Sequence, residues 1–363
     1  MGIQMMAFGG EKPVPFHQAI GQSQILEPGI TGEFTENAMA KVLNASDCNS
    51  SSADSHATIG CLRSLSPEKL LQLQTDTAGD SANIGDEWLP VVDGDFLPAA
   101  PSQLLREGRF AAVPTMMGWT EDDTAPFTDI IIKTPNDTRE FFENYAPSMT
   151  EANLKKLLDL YPVTDFVANP SANLSAEFYR SARILRDILM ICEPLLFGQA
   201  LSERGQDVFY FNQNQTVVDS PLESLGLPGL GVVHTSEFAY VFNNISHYNS
   251  KSLPCTREWK PCQYFLVNDY TYKPTASDED LAIRETRSWS AFANFGRPSL
   301  ENWGTLQGWK PAFDTANETR AFVIGSDEEG LHSLSGKSAL GKQRLEERCG
   351  FINSPEVVEQ LQF

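Results

Sequence analysis

The chain has 363 residues, 41% of them hydrophobic, with 48 acidic and 27 basic side chains and a net charge of −21. That length supports a large core, and α/β enzymes of this size often form a single unit. The acidic field would repel a phosphate backbone, so nucleic acid is excluded as a partner; no stretch reaches about 18 uninterrupted apolar residues, so no transmembrane segment is expected.

The opening residues 1–10 have no basic region and too short an apolar stretch for a signal peptide, and they read like the tail of a helix that starts earlier. Residues 33–43 form a short amphipathic helix pattern. Ser66 caps another, opened by Pro67 and continued by Leu70, Leu71 and Leu73. Residues 88–97 are extended around the turn Asp93-Gly94-Asp95. Residues 112–119 make a compact apolar segment that reads as a buried strand. A long helical stretch covers 173–201, with a kink or split expected at Pro194. Residues 208–211 form the clearest strand. A helix with a charged face spans 277–294 and offers Leu281, Ile283, Trp289 and Phe292 for packing. A short strand at 321–324 and a terminal helix at 338–348 complete the pattern. Strands separated by long helical stretches imply an α/β fold with a mostly parallel sheet. About four strands are a thin sheet for so much helix, and further strands are expected to belong beside them.

Two features point to the secretory route. Asn-x-Ser/Thr acceptors occur at Asn44, Asn49, Asn136, Asn173, Asn214, Asn244 and Asn317, seven of 19 asparagines. Roughly two or three would arise by chance, so a glycosylated, extracellular protein is favoured. Six cysteines fit the same compartment. Cys48 with Cys61, and Cys255 with Cys262, could each close a short loop worth about 2–3 kcal/mol. Cys192 and Cys349 read equally well as free core thiols. No Cys-x-x-Cys is present, which disfavours a zinc ribbon or a thioredoxin-like site.

Histidine is scarce: His17, His56, His234, His247 and His332. Of these, His234 stands out because the glycine-rich run Gly229-Leu230-Gly231-Val232-Val233 delivers it just before a short helical segment at 238–242, capped by Ser236 or Thr235. An imidazole that passes a proton between nucleophile and leaving group belongs on such a loop. The acidic cluster Glu121-Asp122-Asp123 follows the apolar strand, where a carboxylate could orient that histidine. Other motifs fail. Gly330…Gly336-Lys337-Ser338 has five intervening residues where a phosphate loop has four. Gly226, Gly229 and Gly231 reverse the dinucleotide-binding spacing. Gly21-Gln22-Ser23-Gln24-Ile25 starts like a nucleophile elbow but lacks its second glycine. The chain thus offers a base and an acid but no visible nucleophile.

Taken in order, these segments resemble the type-B carboxylesterase/lipase family, and most closely its fungal members. The stretch from Ala7-Phe8-Gly9-Gly10 to Gly21-Gln22-Ser23 is similar to the one that follows the family's nucleophile. The Cys48 to Cys61 loop resembles its small disulfide loop, and Val91-Val92-Asp93-Gly94 one of its strands. Residues 113–127 resemble the strand and turn that hold its acid. Gly231-x-x-His234-x-x-Glu237-x-x-Tyr240-Val241-Phe242 is similar to its histidine segment. Trp289 to Pro298 and Trp303 to Pro311 resemble its late helix and turn.

This resemblance implies one α/β-hydrolase domain over residues 1–363, missing its N-terminal strands, oxyanion-hole glycines and Gly-Glu-Ser-Ala-Gly elbow. It implies ester hydrolysis with His234 as general base and Asp123 as orienting acid, Asp122 being the competitor for that role. Ser23 and Glu237 would be the buried pair supporting the histidine. A Cys48–Cys61 disulfide is implied, as are no metal and no cofactor, and a small-molecule or lipid ester as substrate. Without its nucleophile, the chain alone is expected to be inactive. The competing expectation is a non-catalytic, cholinesterase-like binding or adhesion module, or a degenerate paralogue.

Overall fold

A computed structural model of the chain describes residues 1–25, 27–48, 52–53, 55–78, 88–249, 273–313 and 318–363. Five strands form one sheet: β1 (Ala19–Gln22), β2 (Thr115–Thr120), β3 (Val208–Gln213), β4 (Arg320–Ile324) and β5 (Gly330–Ser333), in that spatial order. The first four run parallel, and β5 returns antiparallel beside β4. Both central strands, β2 and β3, are buried along their whole length. That explains why they read as continuous apolar runs with no polar alternation.

The two-residue period of the strands sorts their side chains between two cores. Met117, Trp119, Val208, Tyr210, Ala321 and Val323 face the larger core. Met116, Phe209, Phe211, Phe322 and Ile324 face the other, where Leu281, Ala282, Trp289 and Phe292 of the helix Ala276–Phe295 cover them. This helix begins with a reciprocal capping box between Thr275 and Asp278 and stops at Gly296, whose φ of 70° suits a residue without Cβ. Gly118 is required for a different reason. A Cβ there would lie 2.4 Å from the carbonyl oxygen of Phe211, its register partner on β3.

The larger core is roofed by a long helical stretch that is split next to Pro194, as the sequence reading expected. Helix Ala176–Arg186 runs into a π-helical segment, Asp187–Cys192, and then into helix Glu193–Glu203. The irregularity thus comes before Pro194. Proline falls in the first turn of the following helix, directly after the π segment that its missing N–H helps to accommodate. The widened turn carries Cys192, which is bonded to Cys349 of helix Leu345–Ile352, so these two are not free thiols. The expected Cys48–Cys61 disulfide is present. Cys255 and Cys262 lie outside the described residues.

Other differences have local causes. Residues 88–97 join no strand, because the Asp93 carboxylate accepts the backbone N–H groups of Asp95 and Leu97 and curls the segment into a turn. β1 is short and lacks a β-branched run; it is recognisable only by its pairing with β2. The Gly330 motif that fell short of a phosphate loop opens the edge strand β5. Asn44, Asn136, Asn173 and Asn244 are exposed and Asn214 is half-buried, whereas Asn49 and Asn317 lie outside the described residues.

The Cys192–Cys349 bridge spans 157 positions and ties the π segment to the C-terminal helices. Replacing Cys349 with alanine should lower stability by roughly 2–5 kcal/mol. Urea denaturation of the variant against the unsubstituted chain reads this directly, and an unchanged midpoint would show that the bridge contributes nothing.

Candidate active site

The C-terminal ends of β1, β2 and β3 deliver the polar groups. Immediately after β2, the chain turns through Glu121-Asp122-Asp123, with Glu121 N–H bonded to the last carbonyl of β3, on Gln213. Asp123 is fully buried and its carboxylate has three donors. Oδ1 lies 2.6 Å from His234 Nδ1. Oδ2 accepts from Ser23 Oγ at 2.6 Å and from Thr120 N–H at 2.9 Å. Ser23 takes a positive φ of 49° just beyond β1, while its N–H bonds to Gly118 of β2. Its hydroxyl is therefore aimed at the acid and away from the free face of the imidazole.

The two candidate acids divide the work. Asp122 turns to the other side and binds backbone: its N–H donates to Val232 O and its Oδ2 accepts Val232 N–H, both at 3.0 Å. This reciprocal clamp holds the histidine loop two residues before His234. Gly231 makes it possible, since a Cβ there would fall 2.1 Å from Asp122 Oδ2. Glu121 faces the opposite way, onto Arg183 at 3.0 Å and onto the side-chain amide of Gln343 at 3.0 Å. Burial alone would raise the Glu121 pKa, but the Arg183 and Arg186 guanidinium groups outweigh it and hold the carboxyl below its usual range. Desolvation and the neighbouring Glu121 charge push Asp122 up to about 6.

The His234 side chain is about one-third exposed, and the ring of Phe127 meets it edge-on at 5.5 Å between centroids. Nε2 has no hydrogen-bond partner among the described residues. Burial alone would lower the imidazole pKa. The hydrogen bond and charge of Asp123, aided by Glu237, outweigh that and hold it above its ordinary value. Glu237 is buried, and Gln22 Nε2 donates to its Oε1 at 3.0 Å. Gln22 is itself held by Trp289 Nε1 at 3.1 Å. The short helix Phe238–Val241 has no side-chain cap, contrary to expectation: Thr235 adopts φ 71° and Ser236 Oγ accepts from Thr216.

His234, Asp123 and Ser23 thus meet directly, and Glu237 joins them through Gln22, the residue before Ser23. His17, His56, His247 and His332 take no part in the site. Three contributors were missed: Gln22, Phe127 and the clamping role of Asp122. Gln22 sits within the failed elbow motif and Phe127 within the acid turn, so position was the only available signal. The described residues hold no cluster of three or more His, Cys, Asp or Glu suited to a metal ion.

An aspartate–imidazole pair of this kind, at the ends of parallel strands, invites comparison with known hydrolases. The sequence model of the carboxylesterase family matches residues 6–348. The chain belongs to the carboxylesterase family. A secreted lipase of Arthroderma benhamiae is 43% identical over 368 aligned positions, covering 100% of this chain and 61% of the lipase. The inactive carboxylesterase-like protein VdtD of Byssochlamys spectabilis is 29% identical over 94% of this chain and 58% of its own length. Among solved structures, Aspergillus niger EstA superposes on the whole chain with a TM-score of 0.72 at 16% identity, using 62% of its own chain. The α/β-hydrolase fold follows from that likeness. This carboxylesterase-family chain spans about three fifths of the length of these relatives.

The raised His234 pKa has a checkable origin. Asp123→Asn removes the charge while keeping the side chain's size, so the His234 pKa should fall below that of the unsubstituted chain, as read by NMR titration. The sign also applies to stability. The extra stability from the charged pair is complete below the unfolded-state imidazole value and is lost as pH rises through the folded one. An unmoved His234 titration in the variant would contradict the assignment.

Proposed function

We propose that the chain is part of a secreted, glycosylated carboxylic-ester hydrolase in which His234 is the general base and Asp123 its orienting acid. The 2.6 Å contact between Asp123 Oδ1 and His234 Nδ1 carries this reading. It fixes the proton on Nδ1 and turns Nε2 outward as a base. A serine hydroxyl presented to Nε2 would lose its proton as it attacks the acyl carbon. The imidazolium formed would be stabilised by the buried carboxylate and would then protonate the leaving alkoxide. Ser23 and Thr120 N–H hold the carboxylate, and Gln22 and Glu237 support the ring.

No Gly-x-Ser-x-Gly occurs in the 363 residues, and the curated relatives are longer. In this reading the nucleophile, the oxyanion-hole donors and the opening strands come from sequence outside the chain, and the 363 residues form one incomplete hydrolase domain. The substrate is a small-molecule or lipid carboxylic ester, and the mechanism calls for no metal or organic cofactor. The relative named as a secreted lipase supports export and acyl-ester substrates; the exposed acceptors Asn44, Asn136, Asn173 and Asn244 support glycosylation.

A second reading has specific support: VdtD is named as inactive, so a member of this kind need not turn over ester. The intact acid–histidine contact favours the enzyme, since a binding surface has no use for it. Two measurements separate the readings. The purified 363-residue chain should not hydrolyse a short-chain chromogenic ester above background; steady turnover abolished by His234→Ala would overturn the proposed origin of the nucleophile. If a longer in-frame product carries Gly-x-Ser-x-Gly, it should hydrolyse the ester, and Asp123→Asn should reduce its kcat by roughly 10⁴-fold. A longer product with the serine replaced, and no turnover, would support the binding module instead.

A further inference from the structure

Helix Ala276–Phe295 carries two buried acids, and they have opposite environments. Asp278 is satisfied: its carboxylate accepts from Gln215 Nε2 at 2.6 Å, Tyr240 Oη at 2.9 Å, Thr275 N–H at 2.8 Å and Thr275 Oγ1 at 2.7 Å. Two turns on, Glu285 is fully buried within the apolar stripe of Leu281, Ala282, Trp289 and Phe292, and neither of its carboxyl oxygens meets a donor. The next residue, Thr286, bonds to the carbonyls of Tyr240 and Val241 at 2.9 Å, which fixes this part of the helix against the segment after His234.

The neighbours of Glu285 make the deficit sharper. Glu237 and Gln213 face it, and each also has a buried oxygen without a partner: Glu237 Oε2 and Gln213 Oε1. The nearby amides each direct one N–H elsewhere. Gln213 Nε2 donates to Gln215 O at 3.0 Å, and Gln22 Nε2 to the other oxygen of Glu237 at 3.0 Å. Arg284 is adjacent in sequence, but its guanidinium is taken by Asp280 at 2.6 Å and by Glu329 at 2.5 Å, and the Glu329 charge also acts on Glu285. Four buried acceptor oxygens therefore lie here without a hydrogen-bond partner. Two carboxylates in such a place would leave buried charge without compensation, which proteins avoid by neutralising one of the groups.

We infer that Glu285 is held as a neutral carboxylic acid and donates its proton into the pocket it shares with Gln213 and Glu237, making it a positioning residue for Glu237. Burial, reinforced by the Glu237 charge, moves Glu285 in the same direction, well above the usual carboxyl range. The protonation state stands independently of the hydrolase reading. The consequence for His234 rests on that reading, because Glu237 is one of the charges holding the imidazole pKa up.

The proton inventory is tested on the 363-residue chain itself. The unfolded chain releases the Glu285 proton near its ordinary value of 4.5, while the folded state keeps it, so the stability this acid contributes is complete below that value and is lost as pH rises. Against Glu285→Gln, which mimics the neutral acid, the unsubstituted chain should be equally stable near pH 4 and should lose up to about tenfold in folding equilibrium constant per pH unit above about 4.5. A Glu285→Gln variant less stable than the parent at neutral pH would show an ionised Glu285 held by a bound cation or by water, and would overturn the inference.

Spectra of the unsubstituted chain carrying ¹³C-labelled glutamate carboxyl groups give a test that needs no variant. One resonance should stay at its protonated position from about pH 4 to about pH 8. Glu193, which burial pushes up to about 7, should titrate inside that window and serve as the contrast. If every glutamate is ionised at about pH 8, the inference fails. Positioning is read separately: Glu285→Leu should lower the His234 pKa and Glu285→Gln should restore it, and an unmoved His234 in the leucine variant would remove that role.

Discussion

A carboxylate with no exposed surface must be given hydrogen-bond donors, and much of the site is arranged to meet that demand. Asp123 takes one donor from each of three places: the serine beyond β1, the last backbone N–H of β2 and the histidine loop. Hydrogen bonds to a charged group are worth about 1.5–3 kcal/mol each, and a buried charge that loses one is left with the cost of desolvation. The three elements are thereby held together by a shared electrostatic requirement as well as by packing. The outcome is an imidazole with one nitrogen fixed and the other turned outward.

Around that centre, the acidic turn keeps its charges apart by direction. Glu121 faces arginine, Asp122 faces backbone and Asp123 faces the ring. Three consecutive residues at the end of a strand point in different directions, and only Arg183 is shared, lying 3.0 Å from Glu121 and 3.9 Å from Asp122. Asp122 is less well compensated than Glu121, and burial, reinforced by the neighbouring Glu121 charge, raises its pKa. The helix behind repeats the theme, with Asp278 surrounded by donors and Glu285 given none. In both places, the distribution of donors decides which acid can carry charge.

How much of this could be read beforehand follows from the range of each interaction. β2 and β3 were legible because strands buried on both faces need continuous apolar sequence, and helix Ala276–Phe295 because its apolar stripe recurs at helical spacing. β1 was not, since four residues, Ala-Ile-Gly-Gln, become a strand only beside β2. Pro194 signalled a break in its helical stretch, whereas the Cys192–Cys349 bridge depends on a contact across 157 positions that leaves no local pattern. At the site, His234 and the acidic turn were visible as residues in suggestive surroundings. The family resemblance favoured Asp123 over Asp122, and the direction of each side chain supplies the physical reason; Gln22 and Phe127 carry no signature of their own.

The central claim is that Asp123 holds the imidazole of His234 in one tautomer, with the proton on Nδ1 and the lone pair on Nε2. Long-range ¹H–¹⁵N NMR correlation of the histidine rings, recorded above the His234 pKa, reports that directly. The account predicts the Nδ1–H tautomer for His234, with its proton shifted far downfield by the short bond to Asp123. A neutral ring carrying its proton on Nε2, or one averaging freely between the two forms, would contradict it.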